Sequence, residues 1–551
     1  MVSALRTRPR RLVAPVAALA AAAVLAAAGC GGDSSGAEAS GAAGFVPATS
    51  PMYFEITTDL DGPQWTQLKE LGGLFPAFPE LQRMIDEELR SDTVDFERDV
   101  KPLLGERAGV AALRVPGAEG LQGLQGSLTT PGGGAEAAAK AAGDTGFVAV
   151  LELAEGAEDD TRALLERAGA TRAGEREGVE YLANEDGDGY AAVTDGKLVL
   201  ADTEADLIAA LDAGRAGGDA TLAGVDRFNE ALDRLPDDVL ARAYLDLGAL
   251  FTEALAANPQ AEQLGSLADY RDAAMAASLL GEPEGLRLKG VITGAPSLGS
   301  LGEFTPELSA NVPADAVAYL GFSDLAGQVE QVFRRLRESS DEQTRRQIDA
   351  FVPQIQAFLG VSLDDLRALA EGEHALVLTE VVPQPGAALM LGVEDAARAQ
   401  ATLDALRAGI PRALRTFSPE TRLPDWRPAQ LAGGVRGWQL PLQDGVSVTY
   451  GVEGDTAVIG TSPAAVRAVQ RPVASLEALD AFQQATDGIP ERVTSLFWLN
   501  AEEAVDAAQR AGAFADAPPE VLPNLRPVKG LAAWTTGGDT PEFEVFVRLA
   551  G

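Results

Sequence analysis

The sequence predicts an α+β fold that is built twice, because a three-strand meander running into a helix occurs in two places. The first copy has three strands and a helix, at residues 178–183, 189–194, 196–201 and 204–211. The second copy has the same order, at residues 434–440, 446–450, 456–460 and 464–469. Consecutive strands joined by short glycine-containing turns predict a largely antiparallel sheet. Helices inserted between groups of such strands predict the α+β class, with helices packed on the sheet.

The segments around the two meanders also correspond, which indicates tandem, duplicated units. The first unit opens with Phe45-Val-Pro-Ala and the second with Asn311-Val-Pro-Ala, and each opening runs into a strand. Each unit closes with a predicted hairpin, at residues 274–294 and 530–551. A chain of 551 residues is longer than a single hydrophobic core supports, which is roughly 250–300 residues. We therefore assign residues 45–296 to the first unit and residues 297–551 to the second unit. The Gly-, Ser- and Pro-rich segment at residues 295–308 is the predicted join between them.

The amino terminus has the pattern of a lipoprotein signal peptide, residues 1–29. A basic start with four arginines is followed by an apolar run at residues 12–28. The run contains Pro15 and is shorter than the roughly 20 apolar residues that span a bilayer, which argues against a transmembrane helix. It ends in the tetrapeptide Ala-Ala-Gly-Cys30, which resembles the lipobox of bacterial lipoproteins. Ala27 stands where that family prefers leucine.

The resemblance to a lipobox implies that Cys30 receives a diacylglyceryl group and becomes the first residue of the mature protein. Cys30 is the only cysteine, and a lipid on its thiol explains a lone cysteine in an exported chain. Two acyl chains hold a protein stably on a membrane. Residues 30–44 are small and polar, which predicts a flexible linker after the lipidated cysteine. We expect a protein anchored on the outer face of the cytoplasmic membrane. The Arg10-Arg11 pair is compatible with a twin-arginine export signal, so export by the general secretory route and by the twin-arginine route both remain alternatives.

The strongly acidic composition argues against binding to nucleic acids. The net charge is −38, and removal of the signal peptide leaves 40 basic and 82 acidic residues, a net charge of −42. Such a surface repels phosphate backbones. An acidic, solvated surface that keeps an exported protein soluble is the simpler interpretation.

A resemblance to a known family rests on the opening at residues 47–61, the repeated strand order and the stretch Asp95-Phe-Glu-Arg-Asp-Val-Lys-Pro-Leu-Leu-Gly105. Together these features are similar to the actinobacterial family catalogued as domain of unknown function 3352. The likeness covers nearly the whole mature chain, and the counterpart of the stretch in the second unit, residues 355–360, is degenerate. That family is uncharacterised, so the resemblance implies a lipid-anchored or secreted envelope protein and supplies no catalytic residue.

The residue patterns do not predict an enzyme, and no cofactor is expected. A Gly-Asp-Ser34-Ser-Gly pentapeptide fits the serine-hydrolase pattern but lies in the predicted linker, away from the strand-to-helix turn which that chemistry needs. His374 is the only histidine, and its counterpart in the first unit is Arg107; an exposed or partly paired cation at a strand start explains both. One histidine and one lipidated cysteine do not make a zinc site.

A weak calcium candidate lies in the first meander. Its carboxylate and amide side chains have the spacing of a calcium-binding loop: Asn184, Asp186, Asp188 and Asp195. The flanking segments are predicted strands rather than helices, so a glycine-rich hairpin turn is the favoured interpretation.

Apolar side chains on the early helices of the two units are candidates for lining a ligand groove: Phe75, Phe78, Met84, Phe351 and Phe358. Ordinary core packing is the favoured interpretation of these residues. The sequence as a whole favours a non-catalytic protein that binds or scaffolds an unknown envelope partner. The alternatives are a carrier of a lipid-like ligand between sheet and helices, and a hydrolase that uses two carboxylates of perturbed pKa in a cleft.

Overall fold

The structure is a computed structural model, and it describes most of the chain after residue 40. The described residues are 41–89, 94–115, 145–257, 270–295, 302–327, 330, 334, 337, 340–346, 356–357, 359–380, 386–417, 423–442, 446–515 and 517–550. The predicted signal peptide and Cys30 lie outside them. The chain divides into two compact units, the first Met1–Pro296 together with Gly551 and the second Ser297–Ala550.

The first unit is α+β, as predicted. Its strands are β1 (Met52–Thr57), β2 (Leu104–Ala112), β3 (Phe147–Leu153), β4 (Thr171–Arg176), β5 (Val179–Ala183), β6 (Tyr190–Thr194), β7 (Lys197–Ala201), β8 (Ala241–Asp246), β9 (Ala274–Glu282) and β10 (Gly285–Thr293). Its helices are α1 (Pro63–Gly72), α2 (Phe78–Leu89), α3 (Glu158–Arg167), α4 (Glu204–Ala216), α5 (Asp226–Leu232) and α6 (Leu247–Ala257). The sequence explains where helices begin: the Thr203 side chain accepts a hydrogen bond from the Asp206 N–H and caps α4.

The strands of the first unit form an antiparallel sheet in the order β4-β5-β6-β7-β3-β2-β1-β8-β9-β10. The predicted meander is β5-β6-β7, and it leads into α4. Helices pack on both faces because successive strand residues point to opposite sides. On the face covered by α4 and α5, the Phe228 ring meets Tyr53 and Tyr244 edge to face, with centroids 5.6 and 5.0 Å apart. On the other face, α1 and α3 contribute Leu68 and Leu165 to smaller clusters.

The second unit has the same kinds of elements. Its strands are β11 (Ala318–Ser323), β12 (Glu373–Glu380), β13 (Gly386–Gly392), β14 (Arg427–Gln430), β15 (Arg436–Pro441), β16 (Ser447–Glu453), β17 (Thr456–Gly460), β18 (Ser495–Asn500), β19 (Val528–Thr535) and β20 (Glu542–Leu549). Its helices are α7 (Leu363–Ala370), α8 (Ala396–Phe417), α9 (Pro463–Gln470), α10 (Asp480–Ala485), α11 (Ala501–Arg510) and α12 (Val521–Leu525). Tyr319, Phe482 and Trp498 form the centre of the cluster under α9 and α10.

The second sheet is also antiparallel, in the order β14-β15-β16-β17-β13-β12-β11-β18-β19-β20. This is the strand order of the first sheet with each number raised by ten. Contacts outside the sheets repeat as well: the Leu222 N–H donates to Val46 O at 2.8 Å, and the Leu476 N–H donates to Val312 O at 2.7 Å. Positions can therefore be compared between the units, Val46 with Val312 and Leu222 with Leu476.

Two predicted boundaries differ from the structure. The flexible linker was predicted to extend to residue 44, but Ala42 and Ala43 are fully buried in the first core. The join was predicted to extend to residue 308, but Phe304 and Leu308 are buried in the second core. Both segments were assigned as connections because they are short of apolar residues, and in both cases a few small or isolated apolar side chains are enough to fix the chain on the sheet.

Candidate functional site

A row of polar side chains crosses six neighbouring strands of the first sheet, on the face covered by α4. We call this the polar row, and its members are Lys197 (β7), Glu152 (β3), Arg107 (β2), Glu55 (β1), Arg242 (β8) and Ser278 (β9). Glu152 lies opposite Lys197, and Arg242 lies opposite both Glu55 and Ser278. Residues opposite each other on antiparallel strands share a face. The row therefore places charges of alternating sign beside an apolar core.

The centre of the polar row is an ion pair between Glu55 and Arg107. Arg107 Nη1 donates to Glu55 Oε1 at 2.7 Å, and the Tyr53 hydroxyl donates to Glu55 Oε2 at 2.7 Å. The Glu55 and Arg107 side chains are only 6% and 14% exposed, so the charges depend on each other for stabilisation. Beside them, burial raises the pKa of Glu152, while Lys197 acts in the opposite direction.

Arg242 forms the wall of a small pocket next to this pair. Its Nη2 donates to the carbonyl oxygens of Pro236 and Asp237 at 3.0 and 3.3 Å. The pocket is lined by Glu55, Thr57, Arg107, Asp237, Val239, Leu240, Ala241 and Arg242. Its volume of about 250 Å³ includes open solvent, and its enclosed part has room for about one water molecule.

In the second unit, the same positions are mostly apolar. Gly321 occupies the place of Glu55, because it lies two residues after Tyr319 as Glu55 lies two residues after Tyr53. By the same register, Leu496 stands in place of Arg242, and Trp534 stands in place of Ser278. Glu373 replaces Arg107, since it lies opposite Ser323 as Arg107 lies opposite Thr57.

Phe304 covers this part of the second sheet. Its N–H donates to Val493 O at 2.8 Å, and the Val493 N–H donates back to Phe304 O at 3.0 Å. A Cβ atom on Gly321 would lie 3.3 Å from the Phe304 ring, so the ring rests on the bare backbone of β11. Phe304 thus fills the space that the pocket occupies in the first unit.

Glu373 is the one carboxylate of the second unit at a polar-row position. It accepts hydrogen bonds from the N–H groups of Glu307 and Leu308, both at 3.0 Å. Burial raises the pKa of Glu373 to about 7, although these two hydrogen bonds act in the opposite direction.

The calcium candidates do not converge on one point. The Asn184 side-chain amide donates to Asp188 Oδ1 at 2.7 Å, and the Asp188 N–H donates to Asn184 Oδ1 at 3.0 Å. These bonds close the β5–β6 hairpin, whereas Asp195 lies in the next turn, between β6 and β7. Within the described residues, no group of three His, Cys, Asp or Glu side chains is arranged to hold a metal ion.

The apolar candidates are also separated. Phe78 packs against α1, where a Cβ on Gly72 would lie 2.5 Å from its ring, and Phe75 is half-buried. Met84 is 52% exposed on α2. Phe351 and Phe358 lie outside the described residues.

The interpretation of His374 as an exposed or partly paired cation was wrong. His374 is fully buried, and its Nε2 is 2.9 Å from Ala370 O. Its ring packs edge to face against the Phe322 ring, with the two ring centroids 5.5 Å apart. Burial lowers the pKa of this imidazole. The register also corrects its counterpart, because His374 lies opposite Phe322 as Ala108 lies opposite Ile56.

The sequence analysis missed the polar row. Its signal was a charged residue at an inward position of an otherwise apolar strand, as in Met-Tyr-Phe-Glu55-Ile and Leu-Ala-Arg242-Ala-Tyr. Alternation assigns Glu55 to the same face as Tyr53, and a buried charge requires a partner. Which strand supplies that partner depends on sheet order, and the order places β2 and β8 on either side of β1.

The predicted lipidation site, Cys30, lies outside the described residues. Among the residues that are described, no helix has both the length and the apolar character needed to cross a membrane.

Comparison with known proteins places the chain in a family without assigning an activity. No curated protein matches it. Solved structures with some likeness include crystal forms III and I of TP0453, each with 10% sequence identity to this chain. The match to form III covers 46% of this chain and 80% of the TP0453 chain, with a TM-score of 0.24. The match to form I covers 49% of this chain and 84% of the TP0453 chain, with a TM-score of 0.25. The family described as "protein of unknown function (DUF3352)" matches residues 12–549. The chain therefore belongs to this family.

Proposed function

We propose that this protein is a lipid-anchored, extracytoplasmic protein of the cell envelope that binds or scaffolds a partner and does not catalyse a reaction. Lipid on Cys30 holds it on the outer face of the cytoplasmic membrane. The observation that carries the proposal is the position of the only cysteine at the end of a basic and then apolar amino-terminal segment. A thiol in that position is consumed by the anchor and needs no further role.

The arrangement of the polar row gives no support to catalysis by Glu55. Both carboxylate oxygens of Glu55 already accept hydrogen bonds, one from Arg107 and one from Tyr53. A general base must also be within reach of a substrate proton, and the Glu55 side chain is only 6% exposed. A carboxylate held in this way orders the sheet and the pocket wall instead.

The alternative of a lipid carrier receives no support from the pocket. An acyl chain needs a long apolar cavity, whereas this pocket is lined by Glu55, Arg107, Arg242 and Asp237 and has room for about one water molecule. The alternative of a carboxylate hydrolase needs two acids across an open cleft. In the pocket, Glu55 is paired with Arg107, and Asp237 lies 3.3 Å from Arg242.

The anchor is tested by a Cys30→Ser variant of the full chain, expressed in a bacterium that processes lipoproteins. The unchanged protein should fractionate with membranes and gain the mass of a diacylglyceryl group on the mature chain. The Cys30→Ser chain should lack that mass and lose stable attachment after cleavage. Ser34→Ala, four residues downstream, is the matched control and should behave like the unchanged protein. Equal membrane attachment of the Cys30→Ser and unchanged proteins would contradict the proposal.

A further inference from the structure

The backbone of Val239 lines the pocket of the first unit without a hydrogen-bond partner among the described residues. Val239 is 7% exposed. Its neighbour Leu240 is paired on both sides: the Leu240 N–H donates to Leu279 O at 2.8 Å, and Leu240 O accepts from the Thr57 N–H at 3.3 Å. Buried backbone N–H and C=O groups are nearly always paired, because an unpaired group forfeits its interaction with water. The Val239 N–H therefore calls for an acceptor, and the Val239 carbonyl calls for a donor.

A buried side-chain donor in the same pocket also lacks a partner. The Arg242 side chain is 7% exposed, and its Nη2 is bonded to the Pro236 and Asp237 carbonyls. Its Nε is buried and has no hydrogen-bond partner within the part of the chain that the structure describes. A guanidinium has only donors, so this position calls for a second acceptor.

The charges around the pocket already balance. Glu55 pairs with Arg107 at 2.7 Å, and Asp237 lies 3.3 Å from Arg242 Nη2. A free anion would add a charge without a counter-charge, and burying such a charge is costly. An uncharged oxygen, such as that of an amide or a hydroxyl group, satisfies the Arg242 Nε without that cost. The pocket therefore favours a neutral acceptor.

The second unit shows what kind of group pairs at the position of Val239. Val239 precedes Ala241 by two residues, as Val493 precedes Ser495, and Ala241 and Ser495 each begin the corresponding strand, β8 or β18. Val493 forms an antiparallel bridge with Phe304, with two backbone hydrogen bonds at 2.8 and 3.0 Å. This edge of the sheet thus pairs with a stretch of backbone in the second unit, and it offers unpaired groups in the first.

The side chains beneath this edge set the size of what can lie over it. In the second unit, the Phe304 ring rests on Gly321, and both Phe304 and Leu496 are buried. In the first unit, Glu55 and Arg242 stand in the places of Gly321 and Leu496, and the enclosed space holds about one water molecule. One side-chain oxygen fits that space, whereas an aromatic ring does not.

We propose that Val239 pairs with an extended peptide segment of a partner protein, which turns a short, uncharged, oxygen-bearing side chain towards Arg242. The peptide residue opposite Val239 exchanges two backbone hydrogen bonds with it, as Phe304 does with Val493. Its side-chain oxygen, for example that of an asparagine, accepts a hydrogen bond from the Arg242 Nε. One segment thus satisfies the unpaired backbone and the unpaired guanidinium nitrogen together.

The two kinds of contact have different roles in this recognition. Backbone hydrogen bonds to a sheet edge supply affinity without regard to sequence, and the pocket beneath selects the side chain. A bulky side chain is rejected by the small enclosed space, and a carboxylate brings an unbalanced charge. This partner class rests on the proposed binding function and makes it more specific.

A synthetic peptide tests the backbone pairing in the full chain with Cys30→Ser, which takes no lipid. The probe is acetyl-Gly-Gln-Asn-Thr-Pro-amide, the sequence of residues 302–306 with glutamine in place of Glu303 and asparagine in place of Phe304. At saturating peptide, the Val239 N–H should exchange with solvent at least threefold more slowly, because binding protects it by mass action. The Val493 N–H is already bonded to Phe304, so it is the internal reference and should not change. Equal exchange of the Val239 N–H with and without the peptide would overturn the proposal.

Two matched peptides separate a fitted segment from a non-specific additive. One has proline at the central position, which removes the N–H that the bridge needs, and the other has phenylalanine there, which exceeds the enclosed space. Neither should protect the Val239 N–H. Equal protection by all three peptides would overturn the proposal, and so would equal protection by acetamide, because a small amide would then occupy the pocket without a segment.

The contact with Arg242 is tested on the peptide, so that the protein stays unchanged. Alanine at the central position keeps the backbone pairing but removes the oxygen that accepts from Nε. Protection of the Val239 N–H at equal concentration should be at least threefold weaker with this peptide than with the asparagine peptide, and equal protection would overturn the contact with Nε. None of these tests depends on lipidation, so failure here is distinguishable from failure of the proposed anchor, which membrane fractionation reports.

Discussion

The two units share one strand order but fill one position of it in opposite ways. In the first unit, the α4 face carries the polar row, with the Glu55–Arg107 ion pair at its centre. In the second unit, Gly321 and Leu496 stand at corresponding positions, and Phe304 lies over them. The backbone scaffold is thus compatible with either solution.

The difference shows two ways of filling the space over the central strands of such a sheet. In the second unit, the segment that leads into the unit lies over β11, and the Phe304 ring fills the space beneath it. An aromatic ring fills it by dispersion and removal of apolar surface from water. Charged side chains fill it only if each charge has a partner, because desolvation is costly. The ring makes a closed core, and the charged side chains leave polar groups at the edge of a pocket.

Removal of the Phe304 ring should have the largest effect on stability. Phe304→Ala deletes a side chain that is 7% exposed and leaves a cavity above Gly321. We expect a loss of about 4 kcal/mol in the free energy of unfolding of the second unit. Denaturant unfolding followed by tryptophan fluorescence reports on this unit, because it holds four of the five tryptophans: Trp426, Trp438, Trp498 and Trp534.

Val473→Ala is the control for loss of an apolar side chain in the same unit. Val473 is fully exposed, so its truncation should change the free energy of unfolding by less than about 0.5 kcal/mol. If Phe304→Ala cost no more than this control, the second unit would not depend on the ring, and the contrast between the units would disappear.

Breaking the ion pair should be the next largest effect. Arg107→Met leaves Glu55 buried with only the Tyr53 hydroxyl as a partner, and we expect a loss of about 3 kcal/mol in the free energy of unfolding. The double variant Glu55→Gln with Arg107→Met removes the stranded charge and should cost less than the sum of the two single variants. Denaturant unfolding followed by circular dichroism measures the free energy of unfolding of the two single variants and of the double variant.

Arg98→Met is the control for loss of an arginine in an ion pair of the first unit. Arg98 pairs with Asp99, but its side chain is 74% exposed. Ion pairs of exposed side chains stabilise a fold only weakly, so this variant should be much milder than Arg107→Met. Similar losses in the free energy of unfolding for Arg98→Met and Arg107→Met would mean that burial does not determine how much an ion pair stabilises this unit.

The fold class could be predicted from the sequence because both of its signals are local. Each meander consists of short strands separated by glycine-containing turns, and each is followed by a helix, such as α4 with its Thr203 cap. The order of strands within the sheet is not local: β3 lies between β2 and β7, and β1 lies between β2 and β8. Such pairings depend on the whole core and leave no pattern in a short stretch of sequence.

The candidate site could be predicted only in part for the same reason. Alternation along β1 indicates that Glu55 points inward, but the identity of its partner, Arg107, follows from the register between strands. Phe304 was assigned to a join because its neighbours are Gly, Glu, Thr and Pro, and one aromatic residue does not make a periodic pattern. His374 was misjudged because a histidine near a strand start gives no sign of whether the strand is central or at an edge.

The smallest expected effect is a change in pH dependence at the position where the first unit has Arg107 and the second unit has Glu373. The pKa of Glu373 is raised to about 7 from an ordinary value of 4.5, chiefly by burial. Between these values the folded protein holds a proton that the unfolded chain releases, so stability falls as pH rises through this window. Glu373→Gln cannot titrate, and its free energy of unfolding should fall less between pH 5 and pH 7.5 than that of the unchanged protein. Denaturant midpoints at the two pH values measure this change in stability. Glu371→Gln is the control for loss of one exposed carboxylate. If stability changed equally with pH in the unchanged and Glu373→Gln proteins, Glu373 would be ionised in the folded protein.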